Sequence, residues 1–136
     1  MDDAVTRYRA ASEVNDMDAL MATLAPDVRI VSPISGRMTF SGSDDVRHLL
    51  GAVYGTLNGL HWHTETGDQR TRVIIGEGRV GPLRLGDAMV MELNDDGQID
   101  CVRPHLRPWL ALTLFALLLG PRVARRPGVV LRALRG

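Results

Sequence analysis

Through much of residues 3–57 the apolar positions recur every three to four residues, and beyond Leu60 they recur every second residue, so the chain reads as helices followed by strands. Residues 3–14 set Val5, Tyr8, Ala11, Ser12 and Val14 at helical spacings and leave Arg7, Arg9 and Glu13 for the other side. Asp16 is placed to cap a second, short helix to about Leu24, because its carboxylate can accept hydrogen bonds from the first unpaired amides; Ala25-Pro26 is expected to end it. Two short strands, Asp27–Pro33 and Arg37–Phe40, follow around a Ser-Gly turn. Ser43 then reads as the cap of a third helix. Asp44 and Asp45 lie at the positive end of its dipole, and Val46, Leu49, Leu50, Val53 and Leu57 form its buried stripe.

From Leu60 onward, extended segments alternate with turns: Leu60–Thr66, Arg70–Val80, Leu83–Leu93 and Gln98–Val102. Helices first and a meander of strands afterwards predict an α+β domain with helices packed on one face of the sheet. The predicted division is a domain over 1–108 and an extension over 109–136. The extension opens with an apolar run of 11 residues, Trp109 to Leu119. As a helix that run is about 16 Å long, short of the roughly 20 residues that span a bilayer. Gly120-Pro121 is expected to break it. Two arrangements fit the extension: it folds back over a pocket or dimer face, or it docks on an anionic membrane surface through its arginines.

The charge total is neutral, with 16 basic and 16 acidic residues, but the two signs are segregated. Residues 1–102 hold every acid and 9 Arg, a net charge of −7, whereas residues 103–136 hold 7 Arg and no acid. The basic run lacks interleaved aromatics and the body is acidic, which argues against a nucleic-acid partner. A single cysteine, Cys101, forms no internal disulfide, and the acidic amphipathic start of the chain does not read as a secretory signal. A cytoplasmic location is expected.

Within the strands, Asp87 stands out. One face of 83–93 reads Leu83, Leu85, Asp87, Met89, Met91, Leu93, a single carboxylate among apolar side chains. Desolvation would raise its pKa and make it a general acid or base near neutrality, or a neutral hydrogen-bond donor. The alternative is an Asp paired with a neighbouring Arg or sitting at a rim. His61 and His63 share a strand face and could hold a metal, with Trp62 packing on the other face. A dependable metal site needs a third ligand and a fixed second shell, none is evident nearby, and no metal is expected. Met89 and Met91 can line an adaptable pocket, with plain core packing expected of Met17, Met21 and Met38.

Tyr8, the stretch Asn15–Leu20, Ala25-Pro26-Asp27-Val28, Ser32-Pro33, the Gly42 turn and Asp95–Ile99 together, in this order and spacing, resemble the nuclear transport factor 2-like superfamily over roughly residues 3–108. That group includes ketosteroid isomerases, SnoaL-like polyketide cyclases and limonene-1,2-epoxide hydrolases; the Arg103-Pro104 and Arg107-Pro108 ending looks most like SnoaL-like proteins of undefined activity. The resemblance implies a curved, antiparallel or mixed sheet whose three N-terminal helices form a cone-shaped pocket. It implies that Tyr8 donates a hydrogen bond to an enolate oxygen. It also puts Ser32 where the isomerases carry their proton-transferring Asp, Met89 near their protonated Asp, and Pro104 where the epoxide hydrolases carry a carboxylate. A hydroxyl cannot act as a carboxylate base.

Two functions follow as expectations. One is an isomerase or cyclase that needs no cofactor and acts on a hydrophobic polycyclic or polyketide-like carbonyl compound. In it Asp87 is the acid/base, Tyr8 the hydrogen-bond donor and His63 an auxiliary base, with Ser32, Trp62, Met89, Met91 and Val102 around the ligand. The other is a non-catalytic module that holds a small apolar ligand or a partner in the same pocket. A second copy of the chain is the expected protein partner.

Overall fold

A computed structural model describes residues 3–135. Helix α1 (Ala4–Glu13) is capped by Asp3, whose side chain accepts from the Thr6 amide, and α2 (Met17–Met21) by Asp16, which accepts from the Ala19 amide. Strands β1 (Leu24–Val31) and β2 (Thr39–Ser41) precede α3 (Ser43–Thr56). Four longer strands follow, β3 (Asn58–Gly67), β4 (Thr71–Val80), β5 (Leu83–Leu93) and β6 (Ile99–Arg107), and then α4 (Trp109–Val123) and α5 (Pro127–Arg135).

The strands form one mixed, open sheet in the order β2-β1-β6-β5-β4-β3, antiparallel except for the parallel β1–β6 pair. The architecture is therefore α+β, as the sequence pattern predicts. Helix α3 packs over β1 and β2, α4 crosses β4, β5 and β6, and α1 packs on α2 and β3. The core lies between these helices and one face of the sheet, with Tyr8, Leu20, Trp62, Ile74, Met91 and Ile99 among its fully buried side chains.

Local details depart from the pattern in four places. Ala25-Pro26 lies inside β1, not after a helix, because a register shift between Leu24 and Arg29 lets the proline avoid the ladder to β6. Gly42, with φ 85°, takes the cap position of α3, so Ser43 is its first residue and makes no capping bond. Strand β6 continues through Pro104 to Arg107. Past Val102 it pairs with β5 alone, and that open side tolerates a residue with no N–H to donate. Gly120-Pro121 does not break α4. Pro121 is exposed, so the carbonyl it leaves unpaired faces water, and the turn closes beyond it through the Ala124 amide to the Gly120 carbonyl.

Among the described residues, no helix is long and apolar enough to cross a membrane. The 109–135 segment folds back on the sheet. Its inner face carries Ala111, Phe115, Leu119 and Val123, four residues apart, all buried. Two polar contacts hold it: His48 Nε2 lies 2.9 Å from the Val123 carbonyl, and Arg132 grips Asp45 of α3 with two bonds of 2.8 and 2.9 Å.

Candidate functional site

Between the sheet, α3 and α4 lies a cavity of about 340 Å³. The sheet supplies Ile30 and Ser32 from β1 and the turn after it, Leu85, Asp87 and Met89 from β5, and Val102, Pro104 and Leu106 from β6. Period-two alternation puts these side chains on one face; Arg84, Arg103 and His105 take the other and are exposed. Helix α3 adds Leu49, Leu50, Val53 and Tyr54, with Leu57 at its C-cap, and the C-terminal helices close the roof with Phe115, Leu119, Val123 and Val130. The wall is almost wholly hydrocarbon. Ser32, Ser35, Tyr54 and Asp87 bring the polar side chains.

Asp87 is half-buried, and its Oδ1 is fully enclosed without a hydrogen-bond partner. Burial pushes its pKa from the ordinary carboxylate value up to about 7, and the His105 backbone amide offsets only part of that. No Arg pairs with it among the described residues, which removes the alternative of a salt-bridged aspartate. An enclosed carboxylate oxygen with no partner carries an unmet demand for a proton or a donor.

Tyr54 brings a phenol to the same wall. Its hydroxyl lies 2.5 Å from that of Tyr8, the rings meeting edge to face. Desolvation raises the pKa of both phenols, and the Asp87 charge raises each further, so both stay protonated across neutral pH. Tyr8 is completely buried and stands one hydrogen bond behind the wall rather than in it. The tyrosine of the cavity wall is therefore Tyr54, its hydroxyl held by Tyr8. Tyr54 lies four residues after Leu50 on the buried side of α3, the one signal in the sequence that could have found it.

Among the other expected site residues, Ser32, Met89 and Val102 line the cavity, and so does Met38, which the sequence assigns to plain packing. The Ser32 hydroxyl accepts from the Ile34 and Ser35 amides, which orders the turn at the cavity edge. Three expectations need correcting. His63 is exposed, lies outside the cavity and pairs with Thr64 Oγ1 at 2.8 Å, because β3 turns Leu60 and Trp62 inward and the histidines to the other face. Trp62 is buried against α1, its indole N–H donating to Ser12 Oγ at 2.9 Å. Met91 is fully buried in the packed core beyond the cavity. Cys101 is buried, and desolvation raises its thiol pKa, which leaves it a poor nucleophile. Among the described residues, no cluster of three His, Cys, Asp or Glu side chains is placed to hold a metal ion.

No protein-family model matches this sequence, and no curated protein matches it. Solved structures do. A bacterial protein of cystatin-like fold from Silicibacter pomeroyi superposes with a TM-score of 0.86 at 22% identity, over 96% of this chain and 91% of its own. A steroid delta-isomerase from Pseudomonas aeruginosa gives 0.82 at 22% identity, over 92% of each chain. A putative polyketide cyclase from Sinorhizobium meliloti gives 0.65 at 20% identity, over 77% of this chain and 95% of its own. The chain has the fold of the nuclear transport factor 2-like, ketosteroid isomerase-like and polyketide cyclase-like proteins.

Proposed function

We propose that the protein is an enzyme that moves a proton within an apolar, ring-containing carbonyl compound, as an isomerase or cyclase does. One observation carries this reading: an enclosed, unpartnered carboxylate oxygen of Asp87 in a hydrocarbon wall, beside the Tyr54–Tyr8 pair. A cavity of about 340 Å³ suits a compact hydrophobic ligand, and its few polar groups can fix the ligand's orientation. With its pKa near 7, Asp87 is divided between base and acid at neutral pH, the condition for taking a proton from one carbon and returning it to another. Negative charge developing on the carbonyl oxygen is met by the Tyr54 hydroxyl, which can donate to it while accepting from Tyr8. The same site in a merely ligand-holding protein is the second reading. It is favoured by Ser32, which puts a hydroxyl where the isomerases of this fold class keep a carboxylate.

Exchange of the α-carbon hydrogens of a panel of apolar cyclic ketones in D2O separates the two. The full-length protein is expected to accelerate exchange of at least one ketone, and Asp87→Asn to lose about 100-fold or more of that acceleration. Ketones that bind without exchanging would leave the ligand-holding reading, and exchange that survives Asp87→Asn would take the role of base away from Asp87.

A further inference from the structure

The roof of the cavity has an outer face that the proton-transfer reading does not use. Helix α4 buries Ala111, Phe115 and Leu119, yet Trp109, Leu110 and Leu117 are 73%, 58% and 68% exposed, and Leu118 is exposed beside them. Leu131 and Leu134 of α5 are exposed too. A run of this size is uncommon on a surface with no partner.

One turn along from Leu118, the outer face becomes basic. Arg122, Arg125 and Arg126 meet Arg47 and His48 of α3 in an open groove. Gly55 makes room for this: a Cβ there would stand 3.0 Å from an Arg122 guanidinium nitrogen. Three acids lie at the cluster, Asp44 inside the groove, Asp18 paired with Arg47 at 2.6 Å, and Asp45, which is bonded to Arg132 and feels the charge of Arg126 and His48; with Arg132 counted, five guanidinium groups face three carboxylates. Acidic residues are absent from 103–136 altogether, while the rest of the chain is net acidic.

From these placements we propose that the α4–α5 roof docks on an anionic phospholipid surface. Trp109, Leu110, Leu117 and Leu118 enter the interface, and the Arg122–Arg125–Arg126 groove takes lipid phosphates. An amphipathic surface of leucines and a tryptophan beside arginines suits the headgroup boundary. The surface is built largely from the acid-free 103–136 segment of a chain whose remainder is net acidic, which favours this side over the others. Two residues in the cavity wall, Gly120 and Ala124, are themselves exposed on α4, so the docked face also borders the cavity. An apolar ligand could then pass from the bilayer without crossing water.

Co-sedimentation of the full chain with phosphatidylcholine vesicles, with and without phosphatidylglycerol, tests this. The protein is expected to pellet with the anionic vesicles, to be released by salt, and to show a blue-shifted emission from Trp109, since Trp62 is already buried. Arg125→Glu/Arg126→Glu is expected to weaken binding by about tenfold or more. Leu117→Glu, at a site with no packing to lose, is expected to abolish the blue shift. No pelleting with anionic vesicles at low salt, equal pelleting with neutral ones, or unchanged binding by both variants would overturn the proposal. So would self-association that disappears in Leu117→Glu while vesicles are ignored.

Discussion

Asp87 shows how far one residue's surroundings change its chemistry. Its folded pKa of about 7 lies above the ordinary value of 3.8, so the folded state holds a proton that the unfolded chain has given up. Below about pH 4 both states are protonated and the site costs nothing. Between pH 4 and 7 stability falls by about 1.4 kcal/mol per pH unit, and above 7 the penalty is constant. Asp87→Asn stays neutral throughout. Its melting temperature is therefore expected to rise relative to wild type from pH 4 to 7 and then hold a fixed lead. A lead that does not vary with pH would mean that Asp87 is already charged in the fold. Asp87 was legible in the sequence because strand alternation isolates one acid on an apolar face. Tyr54 was not, since a tyrosine four residues from a leucine reads as one more buried side chain, and its partner lies 46 residues away. His63 was misjudged for a related reason. Alternation correctly separates Trp62 from the histidines, but it cannot say which of the two faces turns to the cavity: Leu60 of β3 lines it, whereas His63 is exposed.

At the level of elements, the positions of α3 and of the C-terminal helices decide whether a cavity exists. Local pattern gave helix, strand and turn over most of the chain. It misplaced Pro26 and Pro121 and ended the last strand at Val102, short of Pro104, because whether a proline is tolerated depends on neighbours in space: a shifted register at Pro26, a missing strand at Pro104, water at Pro121. The Asp45–Arg132 clip was also invisible. Asp45 reads as a dipole partner in the first turn of α3, whereas it is buried and bonded to a helix 87 residues on. The Arg132 guanidinium, through its hydrogen bonds, holds the Asp45 pKa below the ordinary carboxylate value, so the clip persists at neutral pH and is lost only as pH falls through that lowered value. Asp45→Asn is expected to speed amide hydrogen exchange in residues 127–135 several-fold and to leave β5 unchanged. Equal exchange in α5 would show that Val129 and Ala133 hold it by packing alone.

For the whole molecule, segregated charge and a covered sheet describe one arrangement. The acidic body builds most of the sheet and the α3 wall of the cavity, and the basic extension supplies the roof and the outward apolar face. Fold class was open to sequence reasoning because order and spacing of many weak signals agree. The roof was open only as a pair of alternatives, of which the fold shows the fold-back: the inner face of α4 covers the cavity and its outer face is exposed. Proton transfer in that covered cavity requires Asp87 to be poised near neutrality in the same wall as Tyr54. Carboxyl carbon NMR of selectively labelled full-length protein, titrated from pH 3 to 9, measures this most directly. The account predicts an Asp87 midpoint near pH 7 that moves when an apolar ketone binds. A midpoint near 4, unmoved by any such ligand, would contradict it.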